Sequence, residues 1–80
     1  MKVDLKYPIT KPDGSKVASV TLRRATVGDL KAAQRQADKP EDQELALIAR
    51  LTGLVPEDVE LIDLADYKRI QESFRELLDA

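Results

Sequence analysis

Cysteine is absent from this 80-residue sequence. No disulfide can therefore compensate for a small core, and no thiolate is available as nucleophile, redox centre or metal ligand. That usage fits a reducing cytoplasm. Histidine is absent as well, which removes the usual general base near neutral pH and, together with cysteine, the commonest zinc ligands. Nowhere do about 18 apolar residues follow one another, and the opening Met1-Lys2-Val3-Asp4-Leu5-Lys6 alternates charge with apolar side chains. The sequence thus offers neither a membrane-spanning helix nor the apolar run of a signal peptide. Thr26-Val27-Gly28-Asp29 has a single glycine and lacks the following lysine of a phosphate loop. Carboxylates are plentiful but not spaced as a calcium loop, and the densest group, Glu57, Asp58 and Glu60, stands at a helix start where the helix dipole accounts for it. The chain reads as a non-enzymatic protein with no catalytic residue, cofactor or metal.

What charge there is divides unevenly. Residues 1–40 carry nine basic and four acidic side chains, net +5, and residues 41–80 carry four basic and eleven acidic ones, net −7. The overall −2 argues against nucleic acid as partner, because phosphate binding draws on an excess of Lys and Arg. The split has two readings. Either the halves attract each other within the fold and keep the molecule soluble, or copies associate head to tail or meet a partner with a basic surface. Arg23-Arg24, with Lys31 and Arg35 beyond, is the basic cluster.

Eighty residues suffice for one core and one domain. From Val3 to Ile9 every second residue is apolar (Val3, Leu5, Tyr7, Ile9), the period of a half-buried strand, with Pro8 suited to an edge or strand end. Lys11-Pro12-Asp13-Gly14 reads as a turn. Val17 to Leu22 resumes the alternation, with Ala18, Val20 and Leu22 on one face and Val17, Ser19 and Thr21 on the other. The hairpin, about residues 2–24, must rest its apolar face on the helices C-terminal to it, since an isolated hairpin is marginal in water.

The helical half spans about residues 26–79. Thr26 and Asp29 form a capping box for a helix to about Ala37 with a thin apolar side of Val27, Leu30, Ala33 and Ala37. Asp38-Lys39-Pro40 breaks it, and Pro40 opens a second helix over about Glu41–Thr52 that Gly53 stops. Leu45, Ile48, Ala49 and Thr52 would face the core there. Leu47 and Leu51, four apart, fall on a neighbouring face, where they either extend the core of a central helix or form an apolar patch surplus to it. A short helical turn begins at Pro56. Asp63 then caps a last helix to about Asp79, along which Leu64, Tyr67, Ile70, Phe74, Leu77 and Leu78 recur at intervals of three and four. The expected fold class is α+β, an N-terminal β-hairpin followed by three or four α-helices packed as one small domain over residues 1–80. Charge opposes a helix-turn-helix reading, because the second helix opens with Glu41, Asp42 and Glu44.

Taken in order, Leu5-Lys6-Tyr7-Pro8-Ile9-Thr10, Leu22-Arg23-Arg24, Gly28-Asp29-Leu30, Leu51-Thr52-Gly53-Leu54, Asp63-Leu64-Ala65-Asp66-Tyr67 and Phe74 resemble the tail assembly chaperones of Mu-like and P2-like contractile-tailed bacteriophages. The resemblance covers about Val3 to Leu78. It implies a phage or prophage protein in the bacterial host cytoplasm that coats the long, aggregation-prone tape measure protein until tail tube subunits replace it. It also implies a longer, frameshifted form of the same protein. A groove presenting Leu47, Leu51 and Tyr67 would accept an apolar helical face of such a client, with Arg23 and Arg24 as a second contact surface. The competing readings are a structural tail or baseplate adaptor and, behind it, a DNA-binding regulator.

Overall fold

The computed structural model describes residues 1–79. Strands β1 (Lys2–Thr10) and β2 (Lys16–Thr21) pair antiparallel and form the sheet. The turn between them is closed by Gly14 N donating to Lys11 O at 2.9 Å and by the Asp13 carboxylate accepting from the backbone N and the hydroxyl of Ser15. Gly14 has φ 88°, a left-handed conformation that glycine adopts without steric cost.

The ladder is broken in the middle. Asp4 lies opposite Ser19, yet Ile9 lies opposite Val17, so β1 spends three more residues than β2 between these pairs. This bulge corrects two expectations drawn from strict alternation. Tyr7 sits in it and is exposed instead of joining Val3, Leu5 and Ile9 in the core. On β2 the odd offset exchanges faces, leaving Ala18 in water while Val17 packs against the core beside Val20 and Leu22. Pro8, which cannot donate to a ladder, also falls in the bulge.

Helices α1 (Val27–Gln36), α2 (Pro40–Thr52), α3 (Pro56–Val59) and α4 (Leu64–Asp79) come next along the chain. The first begins on the expected capping box: Asp29 N donates to Thr26 Oγ1 and Thr26 N donates back to Asp29 Oδ2 at 2.9 Å. Pro40 opens α2, and Gly53 ends it with φ 78°. Asp63 caps α4 through Ala65 N.

The hairpin lies on both later helices, with α4 packing on β1 and α2 meeting β2, α1 and α3. Leu22, Ile48 and Ile70 are essentially buried, each contributing about 1.5–3 kcal/mol relative to exposure. Arg23 N donates to Leu51 O, which ties the end of the hairpin to the last turn of α2. That helix is central. Ala46, Leu47, Ile48, Ala49 and Leu51 are all buried, so of the two readings of Leu47 and Leu51 the first holds, and they extend the core of a central helix. Unfilled apolar surface lies elsewhere, at Val27 and Leu30 on α1 and at Leu64 and Leu78 near the two ends of α4, all exposed although their spacing marks them for the core.

Candidate functional site

Asp29, Asp58 and Asp66 are buried, and the first and last of them join distant parts of the chain. Asp29 is 3 % exposed and accepts from five donors: Arg23 Nη1 and Nη2, each at 2.8 Å, the backbone N and hydroxyl of Thr26, and Arg50 Nε at 3.2 Å. The Arg23 guanidinium, then the Thr26 amide and Arg50, hold its carboxyl well below the usual carboxylate range. Asp66, at the start of α4, is 1 % exposed. Its two oxygens accept the backbone N–H groups of Lys6 and Tyr7 at 3.0 Å each, the very donors that the bulge turns away from β2. Arg69 pairs with the same carboxylate and donates to Asp4 O at 2.6 Å. Arg69, followed by the Tyr7 and Lys6 amides, lowers the Asp66 pKa. These carboxylates are structural: both oxygens of each accept from backbone or side-chain donors of the fold.

Among the described residues, no group of three or more His, Cys, Asp and Glu side chains is disposed to hold a metal ion. No helix among them is long and apolar enough to cross a membrane. What the surface offers is apolar relief between helices. One depression of about 270 Å³ is lined by Ala25, Thr26, Val27, Leu30, Leu47, Phe74 and Leu78. A second, of about 300 Å³, is lined by Leu45, Val59, Glu60, Ile62, Leu64 and Tyr67. Both are open to solvent and have predominantly apolar walls. Gln71 Nε2 donates to Glu44 Oε2 at 3.2 Å, tying α4 to α2 between them. On α4 the second depression lies N-terminal to Gln71 and the first C-terminal to it.

The five residues singled out in the sequence part company here. Leu47 is buried but forms the floor of the first depression. Leu51, 2 % exposed, is core and touches neither. Tyr67 is half-buried in the wall of the second, where burial, then the Glu44 carboxylate, raises its phenol pKa. Arg23 pairs with Asp29 while its side chain stays half-exposed, and Arg24 is exposed. The structure therefore brings Leu47 and Tyr67 to two different depressions, sets Leu51 in the core and ties the half-exposed Arg23 to Asp29.

Sequence reasoning misses the walls. Period alone assigns Val27 and Leu78 inward, although adjacent Leu77 and Leu78 stand about 100° apart on a helix, the width of a whole apolar stripe, so that one of them falls at its edge. That crowding is the available signal. The segments that carry the family resemblance also meet pairwise in space. Leu22-Arg23-Arg24 meets Gly28-Asp29-Leu30 through the Arg23–Asp29 pair, and Lys6-Tyr7 meets Asp66 through the bulge amides.

Residues 2–79 match the family described as phage tail assembly chaperone proteins, E, or 41 or 14. No curated protein and no solved structure gives a significant match. A match over almost the whole chain, on a fold whose buried carboxylates support structure, agrees with a family that is not enzymatic. The chain belongs to the phage tail assembly chaperone family.

Proposed function

We propose that this protein binds the tape measure protein in the bacterial host cytoplasm, keeps it soluble while the tail is assembled, and gives way to tail tube subunits. The observation that carries this reading is the apolar surface left in water on the helical half. Val27 is 72 % exposed, Leu64 67 % and Leu78 58 %, and these side chains edge depressions floored by other apolar groups instead of standing singly. A helical client with an apolar stripe would lay anchors three and four residues apart into the depression over Leu47 and Phe74, and Tyr67 would offer a second seat. Arg24, next to Ala25 in the wall of the first seat, adds a charge at its border. Each contact is small and exchangeable, and many copies along one client hold it through multivalency.

Retention of the tape measure protein on immobilised chaperone tests the reading. The double substitution Val27→Asp with Leu78→Asp alters two exposed positions and should lower affinity at least about tenfold, equivalent to ~1.4 kcal/mol, with the circular dichroism spectrum unchanged. Undiminished retention by that variant would remove the site. Mass spectrometry of finished particles separates the adaptor alternative, which requires the protein to persist in the virion; the chaperone reading requires its absence.

A further inference from the structure

The two strands of the hairpin differ in what covers their outer edges. Met1 and Leu22 exchange both backbone hydrogen bonds, Met1 N donating to Leu22 O at 2.8 Å and Leu22 N to Met1 O at 2.7 Å. By the alternation of an antiparallel ladder, the pairs Lys2–Thr21 and Asp4–Ser19 then turn their N–H and C=O groups outward. On β1 that edge is taken up by α4. Asp4 O accepts from Arg69, and beyond it the Lys6 and Tyr7 amides donate to Asp66. On β2 the outward residues are Ser19 and Thr21, and among the described residues no backbone hydrogen bond reaches them from outside the hairpin. Arg23, the next outward residue, donates to Leu51 O at 3.2 Å, so α2 closes the edge there and leaves it open back to Lys16.

Folded proteins guard a free sheet edge with charge, proline, a bulge or a covering element. The outer edge of β1 has the last three, in Pro8, the bulge and α4. That of β2 has none of them: Val17-Ala18-Ser19-Val20-Thr21-Leu22 runs without charge, proline or glycine and is rich in β-branched side chains. Lys16 precedes this stretch and Arg24 follows it, both exposed, and residues 14–24 contain no acidic side chain. Asp13 at the turn is engaged by Ser15, and Asp4, across the ladder, stands by Lys2 at 3.8 Å. We propose that the outer edge of β2 accepts an extended segment of a partner protein as a third strand, one whose carboxylates meet Lys16 and Arg24. A second copy of this chain would bring an equally basic β2 to that edge, like charge against like. The edge belongs to the hairpin and is separate from the depressions of the helical half, so the inference does not rest on the proposed seat for a helical client.

Amide NMR on the full chain tests it. The probe is a short capped peptide with glutamate at each end and valine alternating with threonine between. On titration, the Ser19 and Thr21 amide resonances should shift and their hydrogen exchange should slow, while those of Val27 and Leu78 stay in place. The same peptide with lysine at its ends should bind at least about tenfold more weakly. The glutamate peptide N-methylated along the side that would face β2 should not bind, a control that leaves the protein unchanged. Thr21→Pro removes an outward donor and no ladder bond, so the variant should keep the rest of the spectrum and lose the Ser19 response. Ser19 and Thr21 amides that ignore millimolar glutamate peptide, equal binding of the lysine or the N-methylated peptide, or shifts at these amides that grow with protein concentration alone, the mark of a second copy on the edge, would each overturn the proposal.

Discussion

Asp29 and Asp66 are the residues on which distant parts of the chain converge. Each is nearly without solvent, and each carboxylate is held ionised by a guanidinium together with backbone amides. Their folded-state pKa values lie below the ordinary 3.8. The unfolded chain therefore binds more protons as the pH falls through that value, and the stabilisation, complete above it, is lost towards the depressed folded pKa. Urea melts taken from neutral pH downward should show a plateau and then a decline starting near pH 4. Asp29→Asn and Asp66→Asn should each be less stable at neutral pH and decline less steeply in acid. A variant with the wild-type acid slope would show that its carboxylate is not the one titrating. Only part of this was legible in the sequence. The Thr26–Asp29 capping box is local and could be read directly, but the arrival of Arg23 and Arg50 at the same oxygens depends on the hairpin meeting α2. For the same reason Arg23 and Arg24 look alike as a basic pair, although the fold brings Arg23 to the buried Asp29.

Among the elements, α2 and β1 depart most from their one-dimensional pattern. Periodicity gives α2 a core stripe and a remainder, and burial on both sides makes the remainder core as well. Leu51→Ala should accordingly cost about 2–5 kcal/mol, whereas Leu78→Ala, also a leucine on an apolar repeat, should change stability by no more than about 0.5 kcal/mol. Equal losses in denaturant melts would place both side chains in one environment and contradict the structure. Gly53 ends α2 with φ 78° and open space around its Cα, so Gly53→Ala should cost about 1 kcal/mol from backbone strain alone, without a clash. The hairpin, the three breaks between helices and the caps were readable because turn and cap residues act over a few positions. The bulge was not. Its residues keep the alternation of a regular strand, and the reason they leave the ladder, the Asp66 carboxylate, lies about sixty residues away.

At the scale of the whole molecule, the fold measures 32 × 27 × 18 Å, so one copy can cover at most about 21 residues of a client helix at 1.5 Å per residue. On the proposed function, a long client then needs many copies. The proposed use would draw on a scaffold held by two buried carboxylates, on shallow apolar depressions, and on net charge of opposite sign in the two halves of the sequence. Its catalytic poverty and α+β order were plain in the sequence, and membership of the tail assembly chaperone family accords with both. Which apolar groups face water required the fold, because a helical repeat marks a stripe without saying where the core stops covering it. The proposed function stands or falls on whether this surface keeps an aggregation-prone tail protein in solution. The soluble fraction of the tape measure protein decides it, measured on expression with wild-type chaperone, with the Val27→Asp, Leu78→Asp variant, and alone. The client should be largely soluble with wild type and equally insoluble in the other two cases. Solubility that is the same with and without the chaperone would refute the role.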